Sequence, residues 1–102
     1  MGNAKYLRLL DELRDLHTAK SAGYAGADNP DTWANFRMST MFGVSPLLGC
    51  LVRLSDKYIR ICNLVKDARN DQCGETIVDT LKDLASYALI AICLFEEQKS
   101  ES

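Results

Sequence analysis

Arg53, Asp56, Lys57, Arg60 and Asn63 recur at spacings of three and four, and Glu75, Asp79 and Asp83 recur at four. At about 100° per residue, each set falls on one side of a helix. A basic, mixed-charge stripe can therefore face an acidic one across a short polar break. Arginine forks and a lysine suit phosphate oxygens. A row of carboxylates suits Mg2+, a hard cation that takes oxygen ligands and keeps waters for a substrate's phosphates. Asp56, Glu75, Asp79 and Asp83 are thus candidate metal ligands. Asp56, Glu75 and Asp79 are also candidates for catalysis, because a metal-bound water held between carboxylates can attack a phosphoanhydride. Arg53, Lys57, Arg60 and Asn63 are the candidate substrate contacts on the same stripe. The same groups also suffice for ion pairs with no ligand at all. Asp56 can pair with Arg60 at i, i+4, and Arg53 or Arg60 can pair with Glu75 or Asp79 across a helix interface. Spacing leaves both readings open.

Other chemistries fit less well. No Ser-His or Cys-His pair suggests a covalent route, and there is no G-x-x-x-x-G-K-[ST] phosphate loop. Cys50, Cys62, Cys73 and Cys93 include no C-x-x-C pair and lie far in sequence from the one histidine, His17, which argues against zinc. They read as small buried thiols of a reducing cytoplasm. The formal net charge of −2 argues against non-specific nucleic-acid binding but leaves room for a small anionic ligand. The 102 residues allow one domain with one modest core. The charged N-terminus lacks a signal-peptide pattern, and Tyr6 stands where a myristoylation signal needs Ser or Thr. No apolar run reaches the roughly 18 residues of a membrane helix. A cytoplasmic protein without a membrane partner is expected.

Helices must position these groups. Asn3 can cap a first helix to about Ser21, whose Tyr6, Leu9, Leu10, Leu13 and Leu16 form one apolar stripe, with His17 at its edge. Residues 21–30 read as a loop, broken by two glycines and Asn29-Pro30. Tyr24 in that loop can stack on a base or plug onto the core, and Lys20 and Tyr24 are expected to close over a ligand. Asp31 can cap a short helix from Thr32 to about Thr40, in which Trp33 and Phe36 pack inward and Arg37 is a further substrate contact. Ser45-Pro46 starts a helix to about Asp67, and a last helix spans about 75–98. Its second half, SYALIAICLF, is apolar nearly all round and needs burial on every side. The expected fold is an all-α bundle of three main helices and one short helix, completed as a homodimer or higher oligomer.

The run R-L-S-D-K-Y-I-R-I-C-N-L at 53–64, with G-E-T-I-V-D-T-L-K-D-L-A-S-Y-A at 74–88, resembles the nucleotide modification associated domain 1 family of small helical phage and bacterial proteins. G-Y-A-G-A-D-N-P-D-T-W-A-N-F-R at 23–37 looks like phage members of that group, and the likeness covers about 16 to 96. More distantly, E-x-x-x-D-x-x-x-D at 75–83 is similar to the all-α nucleoside triphosphate pyrophosphohydrolases of the MazG and dimeric dUTPase kind. Those hold Mg2+ with E-E-x-x-E on one helix and E-x-x-D on the next, in a four-helix bundle often completed by dimerisation. Here the second motif is spaced by four, and only Asp56, among Arg53, Lys57 and Arg60, stands for the first. The resemblance implies a phage-type nucleotide-binding protein with a MazG-like bundle. One form is a Mg2+-dependent pyrophosphohydrolase acting on (deoxy)nucleotides. The other is a non-catalytic binder that sequesters a nucleotide signal as counter-defence, or accompanies a DNA-modifying enzyme. A helical adaptor whose stripes are internal salt bridges is the third expectation.

Overall fold

The computed structural model describes residues 2–25, 33–66 and 73–100, with side chains described for 2–20, 33–66 and 76–100. Every element in them is helical, so the chain is all-α as expected. The order is α1 (Ala4–Ala25), α2 (Ala34–Arg37) running into a 3-10 turn (Met38–Phe42), α3 (Pro46–Lys66) and α4 (Cys73–Ser100).

Cap chemistry sets two starts. Asn3 Oδ1 accepts from the Tyr6 amide at 3.0 Å, and Ser45 Oγ accepts from the Leu48 amide at 3.1 Å. Each satisfies a donor that the first turn leaves free. The expected cap at Asp31 lies outside the described residues. α1 ends later than expected, running through Ala25 across Gly23. A single helical glycine costs about 1 kcal/mol relative to alanine, and Ala19, Ala22 and Ala25 around it are strong helix formers. The short helix also departs from expectation. After Arg37 it tightens into the 3-10 turn and stops at Gly43, whose φ of 74° is left-handed. The Gly43 amide donates to Thr40 O and the Val44 amide to Ser39 O, both at 3.1 Å, closing the turn before α3.

α3 and α4 form the central hairpin. The Cys50 thiol donates to Tyr87 O, and further along α3 Lys57 reaches Asp83, so the two helices run antiparallel. Cys50, Leu54, Lys57, Ile61 and Leu64 turn inward from α3, and Thr80, Leu84, Tyr87, Ala91 and Leu94 from α4. α2 lays Phe36 across the hairpin. Phe36, Cys50, Ile90 and Leu94 are the buried core, with Trp33, Leu47, Tyr87 and Ala91 half-buried against it. The expected inward packing of Trp33 with Phe36 is present, edge to face at 6.2 Å between ring centroids. Gly49 permits the close approach of the 3-10 turn, since a Cβ there would lie 3.0 Å from Ser39 Cβ and clash with its hydroxyl. No single helix among the described residues is long and apolar enough to cross a membrane.

Candidate functional site

α3 presents its charged stripe on the side of the hairpin covered by α1 and α2. Arg53, Asp56, Lys57 and Arg60 line a cavity of about 430 Å3, with Tyr87 of α4 as its fifth wall. Three cations face one carboxylate there. Arg53 is held from α2. Its Cζ lies 5.1 Å from the centroid of the Phe36 ring, and Asn35 grips its fork. With the Asn35 amide oxygen turned to the guanidinium, it accepts from Nη1 at 2.9 Å and Nη2 at 3.1 Å. Phe36 in turn stands edge-on to Tyr87, with centroids 6.4 Å apart and planes at 83°. A packed aromatic ladder thus fixes one arginine and one cavity wall together. Cation–ring contact of this kind contributes about 0.5–1 kcal/mol where exposed and more where dry. Arg60 and Asp56 have no ion pair or side-chain hydrogen bond among the described residues.

Asp83 is the hub beside this cavity. Its Oδ2 lies 3.3 Å from Lys57 Nζ, and its Oδ1 accepts from Lys20 Nζ of α1 at 3.1 Å. A second bridge, Lys82 Nζ to Glu12 Oε2 at 3.0 Å, also ties α1 to α4. Glu12, Leu16, Lys20, Asp79, Lys82 and Asp83 line an adjoining cavity of about 390 Å3. Lys20 also borders an apolar groove of about 400 Å3 between α1 and α4, which runs past Leu13, His17, Trp33 and Ile90. There the exposed His17 ring sits 5.7 Å from the Trp33 ring, with the two planes tilted by 37°.

The structure thus brings Lys20, Arg53, Asp56, Lys57, Arg60, Asp79 and Asp83 to one side of the molecule. It does not bring every expected contact to the cavity. Arg37 donates to Glu97 Oε2 at 2.7 Å, toward the far end of α4. Asn63 is exposed one turn past Arg60 and does not line the cavity. Tyr24 lies in the last turn of α1 and Glu75 in the first turn of α4, and their side chains are outside the described residues. The expected pairing of Asp56 with Arg60 is absent among the described residues, and Arg53 turns to Asn35 and Phe36 rather than to Asp79. The α3–α4 register sets Lys57, not an arginine, opposite an acid, and that acid is Asp83.

The carboxylates do not assemble as a Mg2+ site among the described residues. Asp83 already has an ammonium on each oxygen, while Asp56 and Asp79 line different cavities. Two participants were missed in the sequence. Tyr87 lies at i+4 from Asp83, a signal that was available, but it sits within the apolar run. Asn35 reaches Arg53 only through the fold. The thiols divide differently from the expectation of uniform burial. Cys50 is fully buried, Cys62 half-buried and Cys93 exposed. Burial pushes the Cys50 thiol up, and the nearby Arg53 charge opposes this more weakly. No family model, curated protein or solved structure matches this chain.

Proposed function

We propose that this chain binds a nucleotide through the cavity of Arg53, Asp56, Lys57, Arg60 and Tyr87, and holds it without cleaving it. The carrying observation is the charge and wiring of that cavity: three cations to one carboxylate, with the Arg53 fork fixed by Asn35 and Phe36. A preoriented guanidinium meets phosphate oxygens with little ordering cost. Arg60 is the second fork, and Lys57 supplies a compact charge that it shares with Asp83. Tyr87 offers an aromatic wall to a base or sugar. The resemblance to the nucleotide modification associated domain 1 family supports a nucleotide over other phosphorylated ligands. It also supports a phage-type role, in which the binder sequesters a nucleotide signal or accompanies a DNA-modifying enzyme.

A second reading has one observation in its favour. Glu12, Asp79 and Asp83 line a single cavity next to the cationic one, so acidic groups border the phosphate-suited ones, as a Mg2+-dependent pyrophosphohydrolase acting on (deoxy)nucleotides requires. Against it, Lys82 engages Glu12, and Lys20 and Lys57 engage Asp83.

Thermal unfolding against linear and cyclic nucleotides, with and without Mg2+, tests both. A ligand that binds only the native state adds about 2.7 kcal/mol at a hundredfold excess over its Kd. Binding predicts a shift without Mg2+, intact ligand on chromatography, and loss of the shift in Arg60→Ala. A shift that requires Mg2+, with product formed, favours the second reading. No shift with any nucleotide removes both.

A further inference from the structure

The apolar groove between α1 and α4 lies outside the proposed nucleotide cavity. None of Arg53, Asp56, Lys57, Arg60 and Tyr87 lines it. α1 contributes Leu10, Leu13 and Leu16 at spacings of three, and α4 contributes Leu89, Ile90 and Cys93. Trp33 completes the wall, with the His17 ring against it. A concave, mostly apolar site of about 400 Å3 falls within the size range of small-ligand pockets. Its walls are in contact with water, since Leu10 is 42% exposed and Leu89 53%.

The charged groups around the groove share one sign. Arg14 and Lys20 line it, and no carboxylate does, although the chain as a whole carries a net charge of −2. Arg14, His17 and Lys20 follow one another at three residues along α1, so they form a polar row beside the leucines. The ion pair of Arg14 with Asp11 is long, at 3.5 Å, and the two side chains are 77% and 69% exposed. So wet a pair holds the guanidinium weakly, and a carboxylate can take its fork. Lys20 serves Asp83 as well, and an ammonium has three donors to distribute.

The shape of the groove selects the rest of the ligand. Its lining runs from Leu10 to Lys20 on α1, about 15 Å, and from Ser86 to Cys93 on α4, about 10 Å. Apart from Trp33 and His17 its apolar walls are aliphatic and offer methyl groups without hydrogen bonds. An extended hydrocarbon chain matches such a trough, and its length is limited by the modest volume. One loosely held fork matches a single negative charge, whereas the denser cation cluster of α3 is the one suited to phosphates. We infer that this groove binds an unbranched fatty acid of medium chain length, its chain between α1 and α4 and its carboxylate on Arg14 beside His17 and Lys20. The nucleotide reading uses another cavity and stands or falls separately.

Two reporters of occupancy are built in. Trp33 is the one tryptophan of the chain and lines the groove, as does the exposed Cys93. Decanoate, kept below the concentration at which it forms micelles, is titrated against the full chain while Trp33 emission and the rate of Cys93 alkylation, read by peptide mass mapping, are followed. Decanol is the uncharged control. A saturable emission change is expected, with a matching slowing of alkylation. Decanol is expected to bind at least about tenfold more weakly, the loss of one charge-assisted contact. Arg14→Gln is expected to weaken decanoate by about the same factor and to leave decanol unchanged. Leu89→Glu, at an exposed position outside the core, is expected to keep the helicity and abolish decanoate binding. No saturable change in either reporter up to millimolar decanoate overturns the inference. So does decanol binding as tightly as decanoate, or decanoate binding that both substitutions leave unchanged. A Trp33 response to phosphatidylglycerol vesicles but not to decanoate assigns the groove to a membrane surface. Cys93 protection that rises with protein concentration alone, with no response to decanoate, assigns it to a second copy. Either result also overturns the inference.

Discussion

The two sides of the α3–α4 hairpin are made by the same two helices, two residues out of step. On the side of α1 and α2, Arg53, Asp56 and Arg60 stand exposed or half-exposed around a cavity, and Phe36 and Asn35 hold Arg53 in place. On the other side, Leu48, Tyr58, Leu81 and Ile92 stand exposed, with no element over them among the described residues. A rotation of about 200°, two residue steps, separates a face built for an anion from one built for apolar contact. The covered face owes its geometry to the small α2 segment. Without Phe36 and Asn35, Arg53 would be one more long, mobile surface side chain, and ordering it would fall to the ligand.

Substitutions can break that contrast, beginning with the α2 plug. Phe36 is 1% exposed, so Phe36→Ala is expected to cost about 3–5 kcal/mol in urea unfolding and to release Arg53. Gly49→Val drives a branched side chain into Ser39 and is expected to cost about 1–3 kcal/mol, lifting the 3-10 turn from α3. Asp83→Asn removes the shared counterion of Lys20 and Lys57. Because Lys20 is 46% exposed, the stability loss is held to roughly 1 kcal/mol. The same change frees Lys57 and is expected to tighten nucleotide binding, measured by titration calorimetry, whereas the hydrolase reading expects turnover to fall. Leu81→Gln, at an exposed position on the far face, is expected to alter the stability measured by urea unfolding by less than about 0.5 kcal/mol. Thiol labelling gives the smallest contrast. Cys93 is expected to react readily near neutral pH, while Cys50, buried with a raised thiol pKa, stays protected until the chain opens.

Local chemistry in the sequence foretold much of this. The caps at Asn3 and Ser45 follow from side-chain oxygens placed before helical periods, and the inward pairing of Trp33 with Phe36 follows from their spacing of three. The charged stripe of α3 was equally readable, since it depends only on the helical period. What it would face was not. Whether Lys57 meets Asp79 or Asp83 depends on the register of α4 against α3, which no local pattern encodes. Arg37 and Arg53 have the same chemistry in the sequence, yet one is tied to Glu97 and the other lines the cavity. Gly23 looked like a helix breaker and is not one, because the alanines around it sustain α1. The apolar character of SYALIAICLF was plain, but it concealed Tyr87, which serves the charged side.

The charged face is tested most directly by amide chemical shifts in a titration of the labelled chain, first with inorganic pyrophosphate and then with the nucleotide giving the largest thermal shift. The account predicts saturable changes clustered at Arg53, Lys57 and Arg60 on α3 and at Asp83 and Tyr87 on α4, with the row from Leu81 to Phe95 on the far face unmoved. Changes confined to that apolar row, or none up to millimolar ligand, would contradict it.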